Sequence, residues 1–145
     1  MQQIVNHRND TPSFKINHDI DLLFEDKNTN KKYYVEIKYN DDHDSNKFPA
    51  INQKFIKTYA YLVKELDVKA VDELTPIIFY FTNIIKVYNY FVPEGQNIYR
   101  GENFFNTFLS ITYEDVENAL LSFSEDKKTL KKFTDLYNKI MNLKI

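Results

Sequence analysis

The sequence predicts a mixed β-sheet flanked by helices with a helical C-terminal part, an α/β fold in the broad sense and α+β in its segregation. Three observations carry this. Two neighbouring stretches between residues 18 and 39 alternate apolar and polar side chains with the period of a strand. A run at helical spacing follows them and leads into Pro76–Phe81, which is almost wholly apolar, as a strand covered on both faces is. From residue 102 onward the apolar positions recur at helical spacing alone.

Taken in order, residues 1–12 have little periodicity, so no helix is expected ahead of the first strand. Ser13 to Asn17 extend that strand backwards. In His18–Phe24, Ile20, Leu22 and Phe24 alternate with Asp19, Asp21 and Leu23. In Lys32–Tyr39, Val35, Ile37 and Tyr39 alternate with Tyr34, Glu36 and Lys38. Lys27-Asn28-Thr29-Asn30 between them is turn chemistry, which gives a β-hairpin. Asn40 to Lys47 is a polar loop. A helix is expected from Pro49 to Leu66, with Pro near its first turn and Ser45 or Asn46 as the cap. Ile51, Phe55, Tyr59, Leu62 and Leu66 should face the sheet. Strands follow at Pro76–Phe81 and Ile85–Val92, the second ended by Pro93-Glu94-Gly95. Helices are then expected from Glu102 to Leu109 and from Thr112, paired with Asp115 as a capping box, to Phe123. Ser124 and Asp126 can cap a last helix carrying Leu130, Phe133, Tyr137, Ile140 and Leu143 on one face.

The turn also sets a register. A four-residue loop puts Asp26 opposite Lys31, Asp21 opposite Glu36 and Asp19 opposite Lys38, with directly opposed Cβ atoms roughly 5 Å apart. One face then carries Leu23 and Tyr34 at the turn end, and three carboxylates and a lysine at the other. A solvated face would be polar throughout, so the clustering points to a partly covered site at a water-accessible sheet end.

Composition narrows the function classes. With 145 residues and 43% apolar side chains the chain reads as one globular domain. The absence of cysteine excludes disulfides and thiolate metal sites, and two glycines leave no room for a phosphate-binding glycine loop. No apolar run is long enough to span a membrane, and no signal peptide is visible at the N-terminus, so a cytoplasmic protein is expected. The net charge of −2 argues against a generic polyanion binder. It leaves room for a DNA enzyme that makes its phosphate contacts locally.

The candidate site is Asp21, Glu36 and Lys38, with Asp19 in support. Adjacent carboxylates repel, and a hard divalent cation such as Mg²⁺ relieves that while keeping waters and reaching a substrate phosphate. Such a cation lowers the pKa of a bound water and stabilises a leaving oxygen. Lys38, on the face of Glu36, can hold the attacking water and offset developing charge, and the Ile37 carbonyl at the same strand edge is a further possible ligand. The competing reading is a cross-strand salt-bridge ladder of little energetic worth.

Asp19-Ile20-Asp21-Leu22-Leu23 followed by Tyr34-Val35-Glu36-Ile37-Lys38 resembles the core of the PD-(D/E)xK nuclease superfamily. The continuation Lys38-Tyr39-Asn40-Asp41-Asp42-His43-Asp44 and the stretch Asn52-Gln53-Lys54-Phe55-Ile56-Lys57-Thr58-Tyr59 are similar to HinfI/TdeIII-type type II restriction endonucleases. The resemblance runs from about Phe14 to Leu120. It implies a restriction-endonuclease-like fold and an endonuclease that cuts duplex DNA at short palindromes as a homodimer, with Mg²⁺, or Mn²⁺ in its place. It makes Asp21 and Glu36 the metal ligands and Lys38 the catalytic lysine, with Asp19 as the alternative to Asp21. Such cores usually begin with a helix and such enzymes are commonly longer. The chain therefore reads as a minimal or truncated form, and a non-catalytic DNA-binding or assembly module, or a repair or branched-DNA nuclease, are the other readings.

Four further residues are candidate DNA contacts. Gln53, Lys54 and Lys57 lie early in the helix after Glu36 and can reach a phosphate or a metal-bound water, or be its solvated face. Arg100 suits bidentate phosphate or guanine recognition, or a salt bridge where a helix begins. Asp41, Asp42, His43 and Asp44 can hold a cation or simply form a polar loop, and His18 reads as structural. Lys127, Lys128, Lys131, Lys132 and Lys139 make one side of the last helix basic, either for phosphate contact or as its wet face.

Overall fold

The turn at residues 27–30 sets the hairpin. In the computed structural model, which describes residues 1–11, 19–39, 41, 47–89 and 91–142, β1 (Leu22–Asp26) runs antiparallel to β2 (Lys31–Lys38). The Asp26 carboxylate accepts from the Asn28 N–H at 2.9 Å and from the Thr29 hydroxyl at 2.8 Å. Asn30 takes the left-handed conformation, φ 56°, which asparagine tolerates better than most residues. The ladder closes with Asp26 opposite Lys31, as a four-residue loop requires. β1 starts later than the alternation from Asp19 suggests, and the last cross-strand pair is Leu22 with Val35; the expected extension over Ser13 to Asn17 lies outside the described residues. Asp21 ends the ladder with its side chain, accepting from the Ile37 N–H at 2.8 Å where a strand carbonyl would otherwise sit.

The chain divides into two compact units, Met1–Phe104 and Phe105–Ile145. In the first, the sheet order is β1-β2-β3-β4, with β3 (Leu74–Tyr80) and β4 (Ile98–Arg100) parallel to β2. β3 starts two residues before the expected Pro76 because Lys32 pairs with Leu74. Pairing with β4 begins only at Ile78, so at Pro76 the strand is still an edge on that side, where a proline is tolerated. The expected strand at Ile85–Val92 is absent among the described residues of that range. The Lys86 and Val87 N–H groups donate instead to the Asp41 carboxylate, at 3.0 and 3.3 Å, which removes them from any ladder. The fourth strand is β4.

α2 (Phe48–Glu65) crosses from β2 to β3, close to the expected span. Its N-cap is Lys47, which makes no side-chain cap; the expected caps Ser45 and Asn46 lie outside the described residues. Phe55, Tyr59, Leu62 and Val63 form one buried cluster with Tyr34, Leu74, Ile78, Tyr80 and Ile98, with Ile51 and Leu66 partly buried against it. Burying a large apolar side chain contributes about 1.5–3 kcal/mol, so this face fixes α2 over the sheet. On the other face Phe79 stacks on Phe104, ring centroids 4.2 Å apart. A helix does precede the strands: α1 (Gln2–Asn6) buries Val5 in the same cluster as α2. At five residues it is too short for helical spacing to be read from the sequence.

α3 (Gly101–Phe108) follows β4 directly. In the second unit, α4 (Tyr113–Glu125) opens with the expected capping box. The Thr112 side chain accepts from the Asp115 N–H, and the Asp115 carboxylate accepts from the Thr112 N–H, both at 3.1 Å. α5 (Lys127–Asn142) is capped by Asp126, whose carboxylate accepts from the Thr129 N–H at 2.8 Å. Ser124 is not the cap; its hydroxyl donates to the Leu121 carbonyl. Leu130, Phe133 and Tyr137 share a helical stripe as expected but are exposed; Ile140 and Leu143 fall outside the described side chains. Thr112→Ala should cost α4 about 1 kcal/mol, read as a lower melting midpoint in far-UV circular dichroism; an unchanged midpoint would show that the cap does not hold the helix. Among the described residues no helix is long and apolar enough to cross a membrane.

Candidate active site

β2 places Tyr34, Glu36 and Lys38 in a row, because alternate residues of a strand share a face. α2 covers that row. Tyr34 is buried and stacks on Phe55, ring centroids 5.8 Å apart. Glu36 is 1% exposed. This differs from the expectation of a water-accessible cluster: the carboxylate lies under α2, and only the lysine end of the row opens to solvent.

A buried carboxylate needs partners, and Glu36 has three. Oε1 accepts from Lys38 Nζ at 2.6 Å and from Lys54 Nζ at 2.7 Å. Oε2 accepts from the Tyr34 hydroxyl at 3.2 Å. Burial pushes the Glu36 pKa up, but the hydrogen bonds and charges of Lys38 and Lys54 outweigh it, and the net shift is downward. The Lys54 ammonium is correspondingly stabilised, first by its bond to Glu36 and more weakly by Asp21 and Asp19. Burial raises the Tyr34 phenol, and the Glu36 and Asp21 charges add to the shift. Both lysines are partly exposed, Lys38 by 25% and Lys54 by 35%.

Asp21 falls one position beyond the last ladder pair, level with Glu36 in the register. Its carboxylate lies against the edge of β2, bound to the Ile37 N–H. The Lys38 carbonyl accepts from Phe81 on the β3 side; successive carbonyls alternate, so that of Ile37 faces the Asp21 side. Asp19 is exposed, and its charge adds to the stabilisation of the Lys54 ammonium. No group of three His, Cys, Asp or Glu side chains suited to a metal exists among the described residues. Any cation here would rest on Asp21, Glu36 and backbone oxygen.

The other singled-out residues separate. Gln53 is exposed and Lys57 half-buried, both on an open groove with Pro49, Asn52, Ile56 and Phe91. Lys54 points the other way, to Glu36. Arg100 is buried and makes the salt bridges of its structural reading. Its guanidinium takes Glu94 at 2.7 Å, Asp41 at 3.1 Å and the Ile84 carbonyl at 3.0 Å, and lies 4.8 Å over the Tyr80 ring. Asp41 is fully buried in that network. Asp42, His43, Asp44 and His18 lie outside the described residues. The five lysines of α5 are exposed.

Two features escaped the sequence reading. Tyr34 as a partner of Glu36 was open to it, being two positions away on the same strand face. The reciprocal amide pair Asn52–Asn89, at 3.2 and 2.8 Å, was not, since its members are far apart in sequence and on no shared motif.

A mixed sheet whose second strand carries Glu-x-Lys beside an aspartate ahead of the first strand has the arrangement expected of a PD-(D/E)xK nuclease core. Within that class the chain belongs to the HinfI type II restriction endonuclease family, whose model matches residues 1–124. It is 51% identical over 140 residues to the type II restriction enzyme HinfI of Haemophilus influenzae. That match takes in 97% of this chain and 52% of the relative, so the chain spans about half the length of the curated relative it matches. No solved structure matches it significantly.

Proposed function

We propose that this chain carries the catalytic core of a Mg²⁺-dependent restriction endonuclease that hydrolyses phosphodiester bonds in duplex DNA. The observation that carries the reading is Glu36, a carboxylate buried under α2 with the Lys38 ammonium 2.6 Å away and Asp21 level with it across the hairpin. A salt-bridge ladder on an open face would not bury its acid.

The donor set fits a hard divalent cation: two carboxylates and a backbone carbonyl, all oxygen, with no soft ligand and room for waters on the exposed Asp21 side. Asp21, Glu36 and the Ile37 carbonyl would hold it; Asp19 is the weaker candidate. When bound, such a cation polarises the scissile phosphate and lowers the pKa of a coordinated water. Lys38 is fixed at its ammonium by Glu36 and remains a quarter exposed, so it can donate to a water arriving from solvent and to charge building on the phosphate. Glu36 keeps Lys38 aimed, and Tyr34 holds the far carboxylate oxygen. The cofactor is Mg²⁺, with Mn²⁺ as substitute. The DNA partner is a short palindrome, which a two-fold homodimer matches in symmetry, and the setting is the cytoplasm, in a restriction–modification system.

A second reading is a non-catalytic module of the same fold, completed by a partner. The large apolar side chains exposed on α4 and α5, among them Leu121, Phe123, Phe133 and Tyr137, favour it.

Plasmid incubation separates the two. The catalytic reading expects cutting with Mg²⁺ or Mn²⁺, none with EDTA, and fixed cut ends on sequencing. Lys38→Ala should then cut about 10²–10³-fold more slowly while still binding Mn²⁺, though more weakly, because both carboxylates remain but Glu36 Oε1 loses one of its two ammonium partners. Wild-type-like cutting by folded Lys38→Ala would end its catalytic assignment. No cutting by the unsubstituted chain with any metal would favour the module.

A further inference from the structure

We infer that Lys54 is a positioning residue for Glu36: its ammonium, delivered by α2, pins one carboxylate oxygen and so fixes the orientation in which the carboxylate meets a cation. This rests on the reading of Glu36 as a metal-holding carboxylate.

The two oxygens of Glu36 are not equivalent. Oε1 is doubly committed, to Lys38 at 2.6 Å and Lys54 at 2.7 Å. Among the described residues Oε2 has only the Tyr34 hydroxyl at 3.2 Å, a long contact for O–H to carboxylate. One lysine alone would leave the carboxylate free to rotate about its own axis and exchange oxygens. Two ammonium groups approaching Oε1, one along β2 and one from the helix above, remove that freedom, while Tyr34 holds Oε2 at the buried end of the row. Lys54 is well placed to act as a fixed strut. Its helix is anchored by Phe55 and Tyr59, both buried in the core cluster with Tyr34, and its carbonyl accepts from the buried Thr58 side chain at 2.9 Å. A lysine meant for DNA phosphate would extend into solvent; this one turns inward to a buried acid.

Outer partners that orient a metal ligand typically change metal affinity by about 10–100-fold when removed. Lys54→Met keeps length and helix propensity but removes the charge and the donors; Lys54→Arg keeps a donating cation. Three measurements are needed on the full chain: Mn²⁺ binding without DNA by calorimetry, kcat and KM for plasmid cutting, and the salt slope of DNA binding in Ca²⁺. Lys54→Met should weaken Mn²⁺ binding by about tenfold or more and lower kcat, with KM and the salt slope unchanged; Lys54→Arg should recover part of both losses. Unaltered Mn²⁺ affinity in folded Lys54→Met would overturn the inference. So would a raised KM with a flatter salt slope and unchanged kcat, the signature of a phosphate contact. If Lys54→Met does not fold, Lys54→Arg decides, because a donor of different reach must still shift Mn²⁺ affinity. Failure of the unsubstituted chain to bind Mn²⁺ would instead overturn the metal reading itself, a separate outcome.

Discussion

Glu36→Ala is expected to abolish cutting, by about a thousandfold or more, and to destabilise the fold as well. Removing one member of a buried ion pair costs about 3–5 kcal/mol. Here the stranded partners, Lys38 and Lys54, are both partly exposed and can swing into water, so about 2–3 kcal/mol is the better figure. The pH dependence follows from the direction of the shift. A carboxylate whose folded pKa lies below the ordinary value of 4.5 stabilises the fold above that value. The contribution is lost as pH falls through the lowered folded pKa. The unsubstituted chain should therefore lose stability in that acid window, and Glu36→Gln should lose less there, having no carboxylate to protonate. The measurement is urea denaturation followed by circular dichroism across the acid range, beside Mn²⁺ titration. Full stability in Glu36→Ala would mean that the lysines, and not the acid, fix this part of the fold.

Arg100→Met should have the largest effect on stability, about 3–5 kcal/mol, with no direct effect on chemistry. Its loss leaves Asp41 buried with no cation and leaves Glu94, 29% exposed, free to turn outward. Burial raises the Asp41 pKa; the Lys86 and Val87 N–H groups and then the Arg100 charge bring it below its ordinary value. In the variant that last contribution disappears, and Asp41 should take up a proton at higher pH than in the parent. Asp41→Asn combined with Arg100→Met should be less damaging than the sum of the two, because neither then leaves a buried charge unpaired. The chain has no tryptophan, so unfolding is read from tyrosine fluorescence or circular dichroism. A loss below about 1 kcal/mol would show that the network is loosely held.

Local periodicity made much of this molecule legible. The hairpin register follows from four turn residues, α2 from the spacing of its apolar positions, and the α4 cap from Thr112 and Asp115. The Glu36–Lys38 contact needed only the period of a strand. What stayed hidden depends on partners remote in sequence. Residues 85–92 look like a strand until Asp41 is seen to take their N–H groups. That Arg100 is buried between Asp41 and Glu94 cannot be read from its own stretch of sequence. Lys54 looks like a surface lysine because nothing in its own helix shows that Glu36 lies beneath. Burial of Glu36 itself could not be read from a hairpin considered without the helix that covers it.

The contacts around Glu36 and those around Arg100 also differ in the length of chain they close. Asp21 to Ile37 spans 16 residues and Glu36 to Lys54 spans 18, all within one hairpin and the helix that follows. Such short loops close at little entropic cost and form early. The Arg100–Asp41 bridge and the parallel β2–β3 pairing must enclose much longer segments. The folding order this implies has the acid and its two lysines meeting first, as a local nucleus. On that order the arginine bridge would lock down after the rate-limiting step, and Arg100→Met should speed unfolding in stopped-flow denaturation more than it slows refolding.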